Sequence, residues 1–469
     1  MFRVAFTSAA FLGLVLVVAA FSRATIEPPA PMFQSGPAVP WLDPHRSPAE
    51  RLIKEAQTDQ FAWNRLAELT DTYGNRLAGS ENLARAIAWA VEAMKKDGLD
   101  NVRAEKVMVP RWVRGNESLE IVDPPRHVIP LLGLGGSVAT PPAGLEADVL
   151  VVKSYDELER RAAEAKGKIV LYNAAFMSYG QTNQYRTGGA SAAARHGAAG
   201  VLVRAIGPMG LRTPHTGGMN YAEGVTKIPA AAVSAEDAER MQRIADRGRR
   251  VRVRLTMEAK FESDVESANV VGEIRGRERP DEIVLVSGHF DSWDVGTGST
   301  DDGGGCVVSW EALRLMKKLN LRPRRTIRVV LWTNEENGGR GGLTYRDRHA
   351  AELANHVLMF ESDSGVFRPV GFGFTGSDGG RTKVRDIATL LRGIQADRIG
   401  ASGGGADIGP SVEAGKIPAM SLDVDGNYFL IHHTPADTID KIDPMDMSRA
   451  SAAIGVMAYV IAEMPERLK

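Results

Sequence analysis

The stretch from Ile283 to Gly305 constrains the fold more than any other: Ile-Val-Leu-Val runs straight into Ser-Gly-His-Phe-Asp-Ser-Trp-Asp-Val-Gly-Thr-Gly-Ser-Thr-Asp-Asp-Gly-Gly-Gly. Four consecutive apolar residues, Ile283 to Val286, predict a short strand buried on both faces. His289 and Asp291 follow where that strand would end. The Gly-rich loop carries Asp301 and Asp302, and Cys306 to Lys317 has the pattern of a helix. Strand, polar loop and helix in that order form the unit of an open α/β sheet, whose sites lie beyond the carboxyl ends of the strands. An imidazole among carboxylates at such a place suits a divalent cation better than a nucleotide. No GxGxxG opens the helix, and no Lys-Ser/Thr pair closes the loop.

The rhythm continues downstream. Strands are predicted at 268–275, 282–287, 326–332, 355–361 and 417–422, with helices at 304–318, 340–353, 382–393 and 445–463. Apolar strands alternating with helices predict a mostly parallel, twisted sheet covered by helices on both faces. Upstream, helices are predicted at 51–59 (with Pro48 just before it), 60–72 and 81–97, then an edge strand at 102–109. Between them the character changes. Short strands at 147–152, 168–172, 200–204, 228–233 and 251–257, with helices at 189–196 and 236–247, predict an inserted α+β domain. The organisation expected is an α/β catalytic domain in two parts, 48–118 and 262–469, interrupted by an insert at 119–261. His196 and His215 fall in the insert and read as structural, for want of carboxylates near them.

Composition narrows the chemistry. The chain has 469 residues and a net charge of −1, and its basic residues read as dispersed, so nothing favours nucleic acid as a partner. Cys306 is the lone cysteine, which excludes a disulfide framework and any Cys-rich zinc site; a metal would fall to His and carboxylates. Arg3 precedes an apolar run from Ala9 to Phe21, with small residues at Ala19, Ala20 and Ala24. Residues 1–24 therefore read as an export signal, with an uncleaved anchor as the alternative, and 25–47 as a Pro-rich linker. Nothing later is long and apolar enough to span a bilayer, so a secreted or periplasmic protein is expected.

Five segments place polar residues at or past predicted strand ends: His289 with Asp291, Asp301, Glu335 with Glu336, Asp363, and His433 in the His432-His-Thr-Pro-Ala-Asp-Thr stretch. Two His and several carboxylates suit an open catalytic zinc site, with cobalt or manganese as possible substitutes. Two ions about 3.5–4 Å apart require a bridging carboxylate and terminal ligands on each side. A separate carboxylate must move the proton of the attacking water. Glu335 and Glu336 can divide such roles, since neighbours on an extended backbone point in different directions. Asp291 and Asp437 are expected to accept from the far nitrogens of His289 and His433.

Gly288-His-Phe-Asp, Thr300-Asp-Asp-Gly-Gly-Gly, Thr333-Asn-Glu-Glu-Asn-Gly-Gly, Glu361-Ser-Asp and His433-Thr-Pro-Ala-Asp-Thr resemble the motifs of the co-catalytic di-zinc exopeptidases, the family of bacterial secreted aminopeptidases and glutamate carboxypeptidases. The likeness runs over nearly all of 48–465, through Tyr73-Gly-Asn-Arg-Leu-Ala-Gly-Ser and Asp97-Gly-Leu-Asp-Asn-Val, and leans towards the plasma-type glutamate carboxypeptidases. In the insert, Gly167-Lys-Ile-Val-Leu, Ala194-Arg-His-Gly-Ala-Ala-Gly-Val-Leu-Val and Ile228-Pro-Ala resemble a protease-associated domain, a lid-like module of peptidases.

The resemblance implies two zinc ions, a peptide substrate and a homodimer. It makes Asp301 the bridge, gives His289 and Asp363 to one ion and Glu336 and His433 to the other, and makes Glu335 the general base. It implies a cis bond between Asp301 and Asp302. His432 stands where related enzymes have a Tyr that steadies the oxyanion, so His432 is a candidate for that hydrogen bond. Trp293, Asp294, Asp302 and Asp407 read as loop-packing or capping residues. Which peptide end is recognised stays open, between a dipeptidase-type carboxypeptidase and an aminopeptidase; no arginine can be assigned to a substrate carboxylate. Transferrin-receptor-like binding proteins share the architecture, but five intact ligands and Glu335 argue against that reading. Glutaminyl cyclases resemble the catalytic half but lack the insert.

Overall fold

The computed structural model describes residues 39–122 and 125–468. The expected export signal and most of the expected linker lie outside the described residues. Trp41–Lys469 forms one compact unit. Its strands are β1 (Asp100–Val113), β2 (Glu117–Ile121), β3 (His127–Ile129), β4 (Leu131–Gly133), β5 (Leu145–Val152), β6 (Ile169–Tyr172), β7 (Gly200–Arg204) and β8 (Ala230–Val233). They continue with β9 (Arg252–Met257), β10 (Lys260–Ile274), β11 (Arg279–His289), β12 (Arg325–Trp332), β13 (His356–Glu361), β14 (Arg368–Thr375), β15 (Arg398–Gly400) and β16 (Ala419–Asp425).

Two eight-stranded sheets result. The first runs β1-β10-β12-β11-β13-β16-β14-β15. Its centre, β12-β11-β13-β16, is parallel throughout, and antiparallel pairs flank it at β1/β10, β10/β12 and β14/β16. Ile283 and Leu285 of β11 face a cluster with Tyr345, Ile408 and Ile417, while Val284 and Val286 are buried on the other side. The strand is thus buried on both faces, as its unbroken apolar run requires. On one face the helices Gly304–Lys318 and Pro444–Glu463 pack together against the strands, with Asp43–Ala56 and Phe61–Tyr73 outside them. Pro444–Glu463 is buried along nearly its whole length, and its Ala and Gly positions let neighbours approach closely. Each fully buried Ile or Val in it contributes about 1.5–3 kcal/mol, which outweighs their weak helix propensity.

The second sheet is built from residues 117–257 in the order β3-β2-β9-β5-β6-β7-β8-β4. The helix Ala235–Asp246 covers one face through Ala238 and Met241, and Gln184–Arg195 covers the other through Ala190 and Ala193.

Several boundaries depart from the sequence reading. The first helix begins at Asp43 and takes in Pro48, so the last five residues of the expected linker are helical; Pro44 sits in its first turn, where a missing N–H costs nothing. The helix expected at 340–353 stops at Arg348. The one expected at 382–393 starts at Asp378, where the Ser377 hydroxyl accepts from the Gly380 N–H. β14 and β15 were not anticipated; Gly and Pro interrupt β14, and β15 has three residues.

Candidate metal centre

Parallel register brings the site together. His289 ends β11 opposite Trp332 of β12, and Ser287 pairs with Glu361 of β13, which in turn pairs with Ser421 of β16. β11, β12 and β13 therefore finish close to one level, while β16 runs on beside them to Asp425. Glu335 and Glu336 lie in the turn after β12, not on extended backbone as expected, and Asp363 lies two residues past β13. The glycines of the motifs make room. A Cβ on Gly288 would come 2.4 Å from Asp302 Oδ2, and one on Gly305 would come 2.0 Å from the Ser362 carbonyl. The Asp301–Asp302 bond is cis.

Asp301 is the centre. One carboxylate oxygen, Oδ1, lies 3.1 Å from His289 Nε2, and the other, Oδ2, lies 3.2 Å from His433 Nε2. Asp363 Oδ1 is 3.6 Å from His289 Nε2, on the first side; Glu336 Oε2 is 3.0 Å from His433 Nε2, on the second. His432 Nε2 stands 3.6 Å from Asp301 Oδ2, its ring stacked on His433 with centroids 3.5 Å apart. Two oxygens of this group, Glu336 Oε1 and Asp363 Oδ1, are buried without a hydrogen-bond donor, and Asp301 Oδ2 has only the His433 and His432 ring nitrogens near it. Buried carboxylates left in that state are costly unless paired or coordinated to a cation. The donor set, imidazole nitrogens with hard oxygens, fits divalent metal ions and specifically zinc.

Charges in the cluster are strongly coupled. Burial pushes the Glu335 carboxyl well above its ordinary value, with Asp363 and Glu336 adding to the effect. Burial and the Asp301 charge raise Glu336 to about 7. Burial opposes the protonated His433 ring, but Glu336 and Asp301 hold its pKa up at about 10. Protons on the imidazoles occupy the electrostatic role that a cation would take.

The surroundings correct two expectations. His289 Nδ1 is satisfied by the backbone carbonyl of Asp291 at 2.9 Å, not by its carboxylate. That carboxylate instead accepts from the backbone N–H groups of Glu335 (3.1 Å) and Glu336 (3.4 Å), fixing the turn that carries both. Asp437 likewise accepts from the Thr300 and Asp301 N–H groups at 2.7 and 3.1 Å and does not touch the His433 ring. Asp302 holds the loop by accepting from the His289 and Gly305 N–H groups. Asp294 pairs with Arg114, and Trp293 lies edge-on to His433. Asp407 is buried beside Glu361, whose carboxylate accepts from the Asp407 and Ile408 N–H groups.

His433 is steadied from the other sheet. Its backbone is left-handed (φ 59°), and its carbonyl accepts from the Thr216 N–H at 3.0 Å. Its Nδ1 lies 3.3 Å from both the Thr216 carbonyl and Arg186 Nη1. Arg186 Nη1 donates to the same carbonyl at 3.2 Å. Arg186 also donates to the Tyr179 hydroxyl, has no carboxylate partner among the described residues, and leaves its Nε buried and unsatisfied. Arg186, Tyr179, Glu335, Asp363, His432 and Phe429 face a shared cavity of about 540 Å³, in which Arg186 is the one arginine or lysine among the described lining residues.

Sequence reasoning missed four contributors. Arg76 is fully buried and donates to the carbonyls of Gly74, Phe290, Thr297 and Gly298, tying the metal-bearing loop to the Tyr73–Ser80 segment. An Arg inside a Gly-bounded, otherwise apolar segment was the available signal. Arg186, Tyr179 and Thr216 carry no local signal, because what they face is distant in sequence. Of the two insert histidines expected to be structural, His196 has Glu159 at 2.9 Å, contrary to expectation, and His215 is buried and held near pKa 3 by burial and by His433.

The Peptidase family M28 signature matches residues 269–458, and the PA domain signature matches residues 123–241. The chain is 47% identical over 408 residues to carboxypeptidase Q of Mus musculus, covering 87% of each sequence. It superposes on the crystal structure of a peptidase M28 precursor from Shewanella amazonensis with a TM-score of 0.87 and 36% identity, covering 91% of this chain and 98% of that one. A zinc aminopeptidase from Bacillus subtilis shares the fold at TM-score 0.65 and 22% identity, covering 87% of this chain and 96% of that one.

Proposed function

The chain belongs to peptidase family M28 and is a zinc metallo-exopeptidase, and from that premise we propose that it hydrolyses dipeptides or short peptides with two zinc ions held around Asp301. His289 and Asp363 would hold one ion, Glu336 and His433 the other, and Asp301 both. The observation that carries this reading is the division of the Asp301 oxygens between His289 and His433, with buried oxygens of Glu336 and Asp363 beside them left without donors. When bound, the ions would supply Lewis-acid polarisation of the scissile carbonyl and lower the pKa of the attacking water.

The chain's own residues supply the rest. Glu335 lines the cavity on a turn fixed by Asp291, and its pKa is raised by burial, which suits a group that both takes and returns a proton. It accepts the proton of the attacking water at a carboxylate oxygen. As the C–N bond breaks and the new C–O bond is retained, Glu335 delivers that proton to the leaving amine nitrogen. His432, stacked on His433 and facing the cavity, is placed to donate to the oxygen that becomes negative at the carbonyl carbon. Arg186 and Tyr179 supply a cation and a hydroxyl for a free substrate carboxylate, which favours a carboxypeptidase or dipeptidase over an aminopeptidase. Residues 119–261 then act as a lid that contributes to the site. Export and pairing of two copies belong to the same reading, resting on the N-terminal apolar run and on the family resemblance.

The test is hydrolysis of matched dipeptides in free, N-blocked and C-amidated forms, after chelation and after zinc addition. Zinc-restored turnover that requires the free carboxylate supports this reading. Turnover that tolerates the amide but not the N-terminal block would make it an aminopeptidase.

A further inference from the structure

Away from the catalytic cavity, the helix Ala235–Asp246 presents Arg240, Arg243, Ile244 and Arg247 along one side, at helical spacing. The turn into β9 adds Arg249 and Arg250. Together with Ile121, Pro125 and Val251 these residues line a concavity of about 500 Å³ that has no carboxylate among the described residues lining it and shares no residue with the catalytic cavity. The near-neutral sequence had concealed this cluster, since its basic residues read as dispersed.

Ordinary explanations account for little of it. Arginines at a helix C-terminus often satisfy its last carbonyls and its dipole. Here the backbone already does so: the N–H groups of Arg247 and Arg249 reach the Ile244 carbonyl, and that of Gly248 reaches Ala245. The Arg240, Arg243, Arg247 and Arg249 side chains have no hydrogen-bond or ion-pair partner among the described residues, and Arg250 lies 3.7 Å from Asp148. By contrast, Arg252 and Arg254, next in the chain, are both paired with Glu146. Like charges at helical spacing repel, a cost that an anion in the concavity would offset. Guanidinium forks match phosphate oxygens in pairs, and the apolar floor of Ile121, Ile244 and Val251 can accept the carbon part of an ester.

We infer that this concavity is an anion site for a phosphate or phosphate-ester group, presented free or as a lipid headgroup. The site is independent of peptide hydrolysis, and its failure would leave the peptidase reading untouched. The test titrates the full, zinc-loaded chain with inorganic pyrophosphate by calorimetry, and in parallel floats it with vesicles of phosphatidylglycerol or of phosphatidylcholine. The variants are R243E/R247E and a charge-matched control on the other sheet, K106E/R346E.

Saturable pyrophosphate binding, weakened about tenfold or more in R243E/R247E and unchanged in the control, is the expected result. Flotation with phosphatidylglycerol alone, lost in the same variant, would assign the group to a lipid headgroup. Pyrophosphate binding without flotation would assign it to a soluble ester. Absence of saturable binding in both arms, or equal loss in both variants, would overturn the site. Dipeptide turnover should match the parent in R243E/R247E.

Discussion

The two sides of the metal centre are built differently. His289 ends a central strand, and Asp363 and Glu336 follow within four residues of neighbouring strand ends, so parallel register alone sets their level. His433 lies eight residues beyond β16, on a left-handed residue, and is held by the Thr216 backbone from the second sheet. Strand ends position a ligand through the whole sheet; a loop ligand needs a brace. The half of the proposed site that this loop carries therefore depends on the insert as well.

The largest effect tests what joins the two sides. Asp301→Ala should lose both ions and all measurable turnover, read by metal analysis and dipeptide assay; a variant retaining two ions would remove Asp301 from the bridge. Next, Glu335→Gln should lower turnover by about 10²–10⁴-fold while metal content stays at the parent level. Preserved turnover would take Glu335 out of the proton relay.

Substitutions in the brace sharpen the contrast further. Thr216→Pro deletes the N–H that holds the His433 carbonyl, and chelator competition should show one ion weakened by about 10–100-fold with the other unaffected. Equal weakening of both ions would mean that the two sides are not separately supported. Arg186→Met should raise KM for free dipeptides by about 10–100-fold and leave C-amidated peptides unchanged.

The smallest effect lies outside both sides and serves as a control. Glu105 is buried on β1, and burial alone would raise its pKa, but His349 and Arg103 bring it down to about 2. Its folded pKa is thus depressed, so its contribution is complete above the unfolded value near 4.5 and is lost as pH falls from there towards 2. Glu105→Gln should lower Tm by about 2–4 °C at pH 7 and flatten the pH dependence between those limits, with turnover per bound zinc unchanged.

Much of this was legible before any coordinates. The apolar run Ile283–Val286 and its equivalents located the central strands, and the polar residues just past them are the ones that converge. What the sequence hid is contact between distant segments. Asp291 looked like a partner for the His289 ring, yet its position directs the carboxylate to the next turn and leaves the ring to its carbonyl. Asp437 was misread in the same way, because proximity to His433 in the chain says nothing of which amides its side chain meets. Arg186 is one arginine in an Ala-rich helix until the two sheets meet. The arginines from Arg240 to Arg250 read as dispersed in the chain, and only the fold shows that they surround one concavity with no carboxylate among the described residues lining it. β14 and β15 escaped because edge strands need little apolar patterning, and Gly371 and Gly373 break what there is.

Zinc titration into the metal-free chain, with bound ions counted per chain as dipeptide turnover returns, tests the central claim most directly. The account predicts two ions per chain, with full turnover reached only as the second is taken up. One ion at full turnover, or turnover indifferent to chelation, would contradict it.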